Sequence, residues 1–400
     1  MAVTINGTTG IDKVQDGTIV TADIADSNIT TAKIADNNIT TAKIASSVNL
    51  GRRNMVINGD MRIDQRNNGS SVTVTSDGYG SRQFSADRWN IQKSGAAEYS
   101  LQQVSDAPLS EGFTKSLKAT VTTADTSISA TDYAFIIQRI EGHDTARLRY
   151  GWSTAKTSTV SFWVKSSLTG TFSIFLGNGS DNRFYVAEYT ISSANTWEYK
   201  SITISGETTG TWDVAAGQGV NLGFSLSSGY TATAGSWVTS VALGSPNQVN
   251  VSGTLSATFQ ITGVQFELGD TATPFEHRSI GEERSLCQRY YEKSYYDGIQ
   301  PGTATTAGVH WWCNVSNRYS DSLGEITFKT EKRATPSMTY YPHSGTITAG
   351  TCFMEKATAI SYPSVNTWNN GLGGRLIYVG SGSTYTQTQV IVHWIASAEL

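Results

Sequence analysis

The chain has little charge. Only 16% of its 400 residues are Asp, Glu, Lys or Arg, whereas roughly 25% is usual for soluble proteins. The net charge is −4 and no run of Lys or Arg stands out, so the basic patch that nucleic acid or an anionic membrane would require is missing. Gly, Ser, Thr and aromatic residues take the place of charge. This composition argues against a helical enzyme, a coiled coil or a disordered acidic tail, and favours an all-β surface protein.

Three further absences narrow the class of protein to which this chain can belong. No stretch of 18 or more apolar residues occurs, so we expect no transmembrane helix and no membrane insertion. The first residues, MAVTINGTTG, have neither a basic start nor an apolar core, so we expect no signal peptide. The three cysteines lack C-x-x-C spacing and are too few for a disulfide framework, so we expect reduced, inert thiols in a protein folded in the cytoplasm. They are Cys287, Cys313 and Cys352.

Catalytic and metal-binding patterns are also missing. The sequence has no G-x-S-x-G, P-loop, G-x-G-x-x-G or H-E-x-x-H motif, and we expect no enzymatic activity, no cofactor and no metal. Glu141 and Asp144 flank His143 and could serve a glycosidase, although a charged turn is the simpler interpretation. The run from Asn178 to Asn182 could approach calcium, but it is more typical of a polar turn.

A repeat occupies residues 19–48, which read IVTADIADSN, ITTAKIADNN and ITTAKIASSV. Isoleucine recurs every five residues in these units, and this spacing fits neither a strand nor a helix. It fits a bent unit in which Thr30 is a helix N-cap and Ile29 and Ile34 form a hydrophobic staple. Such units are too small to fold alone, so identical chains would have to cover the isoleucines, unless the segment is a flexible linker. The predicted trimer seam consists of Ile19, Ile24, Ile29, Ile34, Ile39 and Ile44.

These tandem ITTAKIADNNITTAKIA units resemble the shaft repeats of tail fibres from tailed bacteriophages. The resemblance implies a homotrimer that attaches to the tail, the baseplate or an adaptor protein by the start of the chain. It also implies a distal end that meets the host cell, and a virion protein that is assembled in the host cytoplasm.

The middle of the chain alternates apolar and polar residues in short runs that turn residues separate, which predicts an antiparallel β-sandwich. Val160, Phe162 and Val164 form one such run, and Trp163 falls on the opposite face. Another run changes parity at Thr262-Gly263, which predicts a β-bulge.

Several phrases of this region resemble jelly-roll carbohydrate-binding modules: INGDM, STVSFWVKSS, NTWEYKSITI and FQITGVQFELGDTATPFEHR. In phage fibres RNMVINGDMRIDQR and ADRW occur with them, so the resemblance covers most of residues 1–295. It implies a sugar-binding or spacing role. An exposed aromatic side chain on a sheet is the expected sugar contact, although packing is the more common role of such residues. The candidates here are Trp152, Trp163, Trp197, Trp212 and Trp237.

The last third begins with the one clear helical pattern, GEERSLCQRYYEKS, in which Leu286 and Tyr290 are four residues apart. We predict a short helical joint there, followed by a β-sandwich tip with strands at 324–329 and 389–394. The sequence Trp368-Asn369-Asn370-Gly371 predicts a loop. Adjacent aromatic residues on one strand cannot both point inward, so at least one of each pair faces outward or meets another subunit. Outward-facing aromatic residues are typical of binding surfaces, so we expect the candidate glycan-binding residues in the tip. They are Trp311, Trp312, Tyr340, Tyr341 and Trp368.

We therefore predict a mainly β, trimeric protein in four parts: a docking and shaft segment at 1–50, a jelly-roll at 51–280, the joint at 281–296 and the receptor-binding tip at 297–400. The predicted function is a phage tail fibre that binds a host-surface polysaccharide. Two alternatives stay open. A tailspike-like polysaccharide depolymerase would release oligosaccharides, and a secreted bacterial lectin or adhesin would need a secretion signal.

Overall fold

The computed structural model describes residues 52–78, 80–314, 324–341, 353–356, 359–361, 365–369, 374–379 and 388–400. The chain divides into two compact units, Met1–Leu50 and Gly51–Leu400. The predicted shaft, with its six isoleucines from Ile19 to Ile44, lies outside the described residues. The shaft and the trimer therefore stay predictions.

The larger part of the second unit is a sandwich of two antiparallel sheets, whose strands we number in chain order. The six-stranded sheet has the order β1 (Val72–Val74), β4 (Glu98–Val104), β5 (Ser116–Thr123), β13 (Thr258–Leu268), β7 (Ser158–Ser166), β10 (Glu198–Ile204). The seven-stranded sheet has the order β12 (Trp237–Val238), β9 (Phe184–Ile191), β8 (Gly170–Asn178), β11 (Gln218–Ser228), β6 (Tyr133–Glu141), β3 (Asn90–Ser94), β2 (Gln83–Phe84).

The core lies between these two sheets. Val160, Phe162 and Val164 of β7 are completely buried in it, because alternate residues of a strand point to the same face. Inward-facing residues of β8 and β11, such as Ile174 and Phe224, meet them from the other sheet. The predicted antiparallel sandwich is confirmed, and Trp163 lies on the face of β7 that points away from the core.

The predicted bulge is also confirmed. The register between β13 and β7 shifts between Thr262 and Gln265, and Gly263 has a φ of 60°. A Cβ at this glycine would lie 2.6 Å from the ring of Phe113. The bulge lets Ile261 and Val264 both face the core, so β13 keeps its apolar face on one side of an eleven-residue strand.

The outer faces of the two sheets differ in how far they are covered. The outward-facing residues of the seven-stranded sheet form a second apolar cluster, which includes Tyr133, Phe135 and Phe175. Ala242 and Leu243 of the following loop pack on that cluster. The described residues form no such apolar cover over β7 and β10 of the six-stranded sheet, where Trp163 is half-buried and Tyr199 is exposed. This second outer face is where a site can form.

A one-turn helix, α1 (Gly142–Thr145), follows β6, and a longer helix, α2 (Ile280–Gln288), follows the sandwich. Ser279 caps α2, since its hydroxyl accepts a hydrogen bond from the backbone N–H of Glu282 at 3.2 Å. The helix is shorter than the predicted joint at 281–296. The chain leaves the helix because Tyr291–Lys293 forms a strand, β14, whose backbone pairs with the last strand of the protein.

The last part of the chain is built around β22 (Thr388–Ser397). Its sheet also contains β14, β15 (His310–Asn314), β17 (Ser337–Tyr341), β18 (Phe353–Lys356) and β19 (Ala359–Ser361). A three-stranded sheet contains β16 (Gly324–Thr327), β21 (Gly374–Val379) and β20 (Val365–Asn369). The strands predicted at 324–329 and 389–394 are thus present as β16 and β22.

Buried charges join this last part to the sandwich. The carboxylate of Glu399 pairs with Arg66 at 2.9 Å and also with Arg88. Arg289, just after α2, pairs with Glu141 at the end of β6 at 2.6 Å. The Glu399 pairs anchor the chain after β22, and the Arg289–Glu141 pair anchors the end of α2 to β6.

Candidate functional site

The candidate site is the uncovered part of the outer face of the six-stranded sheet, which we call the open face. The residues of β7, β10, β13 and β5 that alternate with the core residues point to it. Two aromatic residues lie at its centre and polar residues surround them. Its members are Trp163, Lys165, Tyr199, Gln260, Lys118 and Gln102, with Trp197 and Asp106 at the rim.

Trp163 and Tyr199 form the aromatic platform of the open face. They lie directly opposite each other on β7 and β10, and their ring centroids are 5.6 Å apart at an angle of 55°. Tyr199 is 47% exposed and Trp163 is half-buried. Such a pair offers a broad, partly fixed apolar surface, which is what a sugar ring needs in order to stack.

Asp106 organises the polar rim beside this platform. Its carboxylate accepts hydrogen bonds from Lys165 Nζ at 2.5 Å, from Trp197 Nε1 at 3.3 Å and from Gln260 Nε2 at 3.3 Å. Partial burial opposes its ionisation, but these hydrogen bonds, that of Lys165 first, hold the pKa of Asp106 below its usual value. Asp106 is therefore an ionised acceptor at neutral pH, next to two aromatic rings.

The register of the strands sets a row of long polar side chains across the open face. Gln102 is paired with Lys118, Lys118 with Gln260, and Gln260 with Lys165. Adjacent strands lie about 4.8 Å apart, so these four side chains are direct neighbours. Gln260 is only 3% exposed and its amide bonds to Asp106 and Ser116. Lys118, Lys165 and Gln102 are half-buried and can therefore offer polar groups to a ligand.

The open face has clear limits. Beyond the platform, Thr159 of β7 donates to the backbone carbonyl of Gly269 at 2.9 Å, so the segment after β13 covers that end. Phe113 packs over Gly263 and makes an edge-on contact with Phe275, with centroids 5.1 Å apart. These contacts bound the open face at the Gly269 and Phe113 positions, while Lys118 of β5 and Gln102 of β4 keep part of their surface exposed.

The structure gives the predicted aromatic residues of the tip different surroundings. Trp311 on β15 is 63% exposed. Tyr341 is half-buried and makes an edge-on contact with Tyr295, with centroids 6.1 Å apart. Tyr340 is only 5% exposed, so it packs in the interior and has little surface to offer a sugar.

Two of the predicted tip residues are placed by their backbone only. Trp312 lies on β15 and Trp368 lies on β20, opposite Leu376, and their side chains fall outside the described part of the chain. The loop predicted to contain Trp368 and Asn369 is wrong at these two positions, because both pair with β21. Their role as glycan contacts stays a prediction.

The remaining tryptophan candidates lie at one edge of the sandwich. Trp212 and Trp237 cross edge to face, with centroids 5.6 Å apart, and both pack on the buried ring of Tyr150. Their indole N–H groups donate to the carbonyls of Thr209 and Ser205. These two rings therefore close the edge of the core, while Trp152 is 66% exposed.

The residues around Glu141 form a structural network. Arg289 donates to both carboxylate oxygens of Glu141, and the hydroxyl of Tyr290 donates to Oε2 at 2.6 Å. Burial opposes ionisation, but these bonds lower the pKa of Glu141. Because Glu141 is almost completely buried and both its oxygens are engaged, it cannot reach the glycosidic bond of a polymer. His143, two residues after Glu141, is exposed.

A cavity of about 210 Å³ lies beside that network and is lined partly by Arg52, Arg147 and Arg278. Its guanidinium groups already have partners. Arg147 donates to the carbonyls of residues 52 and 53, Arg278 pairs with Glu283, and Arg52 pairs with Glu282 at 2.8 Å. The charge in this cavity is therefore largely compensated.

Three smaller predictions concern metals, membranes and thiols. The amide oxygen of Asn178 accepts from the backbone N–H groups of Asn182 and Arg183, which is a polar turn. Within the described residues no group of three or more His, Cys, Asp or Glu side chains could hold a metal ion. Nor does any described helix have the length and apolar character needed to cross a membrane. Cys287 is buried, and burial raises the pKa of its thiol.

Sequence reasoning identified Trp163 and Trp197 but not the rest of the open face. Tyr199 could have been found, because it alternates with Ile202 and Ile204 on β10. Asp106 lies in a loop, and only the fold brings it to Lys165 and Trp197. Lys118 and Gln260 become neighbours through strand register, which the sequence pattern does not give.

No protein-family model and no curated protein matches the sequence. Among solved structures, the chain is similar to the enzymatically active domain of tailspike protein 4 from bacteriophage CBA120, with 15% identity and a TM-score of 0.27. The match covers 46% of this chain and 19% of that one, so the chain spans about a fifth of the tailspike structure.

Two other similar structures concern sugars. One is the family 11 carbohydrate-binding module from Clostridium thermocellum in complex with a mixed-linked tetrasaccharide, with 13% identity, a TM-score of 0.26 and coverage of 51% of this chain and 98% of that one. The other is a putative sugar-binding protein from Bacteroides thetaiotaomicron, with 11% identity, a TM-score of 0.29 and coverage of 54% and 100%. At this level of similarity the neighbouring structures assign no function to this chain.

Proposed function

We propose that this protein binds a glycan on the open face of its sandwich and serves as the adhesive subunit of a phage tail fibre. One observation carries the binding proposal: no described segment covers the Trp163–Tyr199 platform, which lies beside the fixed carboxylate of Asp106. Apolar ring faces and a few placed polar groups are the usual composition of a small-ligand site.

The chemistry of this face fits a sugar. The C–H face of a pyranose ring stacks on an aromatic ring, and its hydroxyl groups need acceptors and donors at the edge. Asp106 can accept from a hydroxyl, and the half-buried Gln102 can accept through its amide oxygen. The existing bonds of Asp106 to Lys165 and Trp197 hold the rim in place before a ligand arrives, which reduces the ordering cost of binding.

The fibre role rests on the sequence repeat. The isoleucine units at residues 19–48 resemble fibre shafts, and parallel homotrimers would bury those side chains. Three copies of a weak sugar site on one fibre, and several fibres on one virion, would raise the effective concentration at a host surface. The proposed partners are a tail, baseplate or adaptor protein at the N-terminus and a host-surface polysaccharide at the adhesive domains. Trp311 is a further candidate contact in the tip.

We propose adhesion without cleavage. Glu141, a carboxylate that the sequence had suggested for hydrolysis, is engaged by Arg289 and Tyr290, and Asp106 is engaged by Lys165. Incubation of the protein with the polysaccharide that it binds should therefore leave the polymer length unchanged. Release of oligosaccharides would instead favour the depolymerase alternative.

The binding site can be tested with Trp163→Ala and Tyr199→Ala on an array of bacterial surface polysaccharides. Each substitution removes one aromatic ring of the platform. We therefore expect the variants to bind the polysaccharide recognised by the wild-type protein about tenfold more weakly or worse. Trp152→Ala is the control, because it removes an exposed indole outside the open face. Unchanged binding in the first two variants, or an equal loss in the control, would refute the site.

The trimer is tested separately by light scattering on the full chain and on a chain without residues 1–50. We expect the full chain to form a trimer. A monomer in both preparations would remove the support for the fibre role but would leave the glycan site standing.

A further inference from the structure

Lys118 is a cation on the open face that lies outside the aromatic platform and its rim. It is half-buried on β5, paired in register with Gln102 on one side and with Gln260 on the other. Within the described residues, its ammonium group has no hydrogen-bond or ion-pair partner. A lysine in the middle of a sheet with no partner of its own is available to a ligand.

Among the described residues, the strand positions around Lys118 carry no countercharge. Its neighbours across the strands are glutamines, and the residues two positions away on the same face of β5 are Ser116 and Thr120. The carboxylate at the rim, Asp106, is already bonded to Lys165, Trp197 and Gln260. In the part of the chain that the structure describes, Lys118 is therefore an uncompensated positive charge near the platform, although the chain as a whole has a net charge of −4.

The distance between the cation and the platform suits a polymer. Lys118 lies two strands away from Trp163, and the residues are also offset along the strands, so their Cα atoms lie on the order of 12 Å apart at ordinary strand spacing. A sugar that stacks on Trp163 would not reach Lys118 with its own ring. A neighbouring sugar of the same chain would.

We infer that the glycan recognised by the open face carries an anionic substituent, a carboxylate, phosphate or sulfate, which pairs with Lys118 while a neighbouring sugar stacks on Trp163 and Tyr199. This inference rests on the function proposed above and narrows its ligand class. A neutral polysaccharide would leave the ammonium without a partner, so neutral glycans should bind more weakly.

The inference is tested by measuring binding of the full-length protein to an array. Each acidic bacterial polysaccharide on the array is accompanied by chemically neutralised forms of the same polymer. Carboxyl-reduced, dephosphorylated and desulfated samples distinguish the three possible substituents. We expect an acidic polymer to be retained and its matching neutralised form to bind about 3- to 10-fold more weakly. Lys118→Gln should weaken binding to the acidic polymer by a similar factor and leave binding to the neutralised form unchanged.

Lys115→Gln is the matched control. It removes a cation three residues away that precedes β5, lies off the row and already donates to Ser105 at 2.9 Å. The affinity lost in the Lys118 variant should also be the part of binding that salt weakens. If neutralised polymers bind as well as acidic ones and Lys118→Gln has no effect, the inference fails while the glycan site survives. If no polysaccharide is retained by the wild-type protein, the proposed function fails, and this inference with it.

Discussion

The two outer faces of the sandwich carry similar aromatic side chains but treat them differently. On the seven-stranded sheet, Phe135 and Phe175 cross edge to face, with centroids 5.3 Å apart, under Leu243. On the six-stranded sheet, Trp163 and Tyr199 form a pair at a similar distance, and no other described apolar segment covers them. An outward-pointing aromatic residue is therefore not by itself a sign of a binding site. What matters is whether another segment of the chain covers it.

Buried and exposed ion pairs differ in the same way as the covered and uncovered aromatic residues. Glu399 and Arg88, which join the end of the chain to the sandwich, are buried, whereas Asp106 on the open face keeps about half of its side chain exposed. The covered side should therefore respond to substitution with a loss of stability, and the open face with a loss of binding. The following experiments test that separation, beginning with the largest expected effect.

The largest effect should come from Phe135→Ala. The ring is almost completely buried among Tyr133 and Phe175, and truncation of a buried phenylalanine lowers the free energy of unfolding by about 3–5 kcal/mol. Thermal or denaturant unfolding measures it. Tyr199→Ala is the matched truncation on the open face and should cost less than about 1 kcal/mol. Equal losses in the two variants would contradict the distinction between the faces.

Glu399→Gln should have the next largest effect. It removes the charge that pairs with Arg66 and Arg88 in a buried setting, and an unpaired buried charge costs about 3 kcal/mol. Burial opposes the ionisation of Glu399, but the arginines lower its pKa below the usual 4.5, so its contribution exists above pH 4.5 and disappears as the pH falls through the lowered value. The gap in melting temperature between variant and wild type should accordingly shrink on acidification from pH 7 to pH 3. A constant gap would show that the charge is not the cause.

Asp87, in the same buried network, should show the opposite pH trend. Burial raises its pKa from 3.8 to about 7, despite Arg66 and Gln65. The folded protein then holds a proton between these values that the unfolded chain has released, so this group favours the folded state less as the pH rises from 4 to 7. Asp87→Asn keeps the group neutral and should gain stability relative to the wild type between pH 5 and pH 8. A gain that falls over that range would contradict the assignment.

The smallest effect on stability should come from Asp106→Asn. Its ion pair with Lys165 is partly exposed, and such pairs contribute about 0–1 kcal/mol. Glycan affinity should nevertheless fall by about 3- to 10-fold, because the rim loses its charged acceptor and Lys165 is released. Because the pKa of Asp106 lies below its usual value, wild-type affinity should stay constant from pH 8 to pH 5. Titration calorimetry against the retained polysaccharide would detect a pH-dependent change that argues against this role.

The sequence pattern predicted the sandwich well because strand alternation is a local signal. The parity of Val160 to Val164 placed Trp163 on the outer face, and the glycine at position 263 marked the bulge. The helical joint was predicted too long, since the turn after Gln288 depends on pairing between Tyr291 and Ser397, about a hundred residues away in the chain. Hydrophobic periodicity carries no information about such a partner.

The site was predictable only in part. Parity distinguishes inward from outward side chains, but it does not say which outward face another segment covers. Tyr340 was chosen for the adjacent aromatic residues in the sequence, and it lies in the interior, opposite Trp394 of β22. Asp106 and Lys118 reached the open face through a loop and a register that the residues alone do not fix.

A crystal structure of the protein with an oligosaccharide cut from the polymer that it retains would test the central claim most directly. We predict a sugar ring stacked on Trp163 and Tyr199, with a hydroxyl group bonded to Asp106. A sugar bound against Trp311 or Trp152, with the ring of Trp163 still facing solvent, would contradict the account.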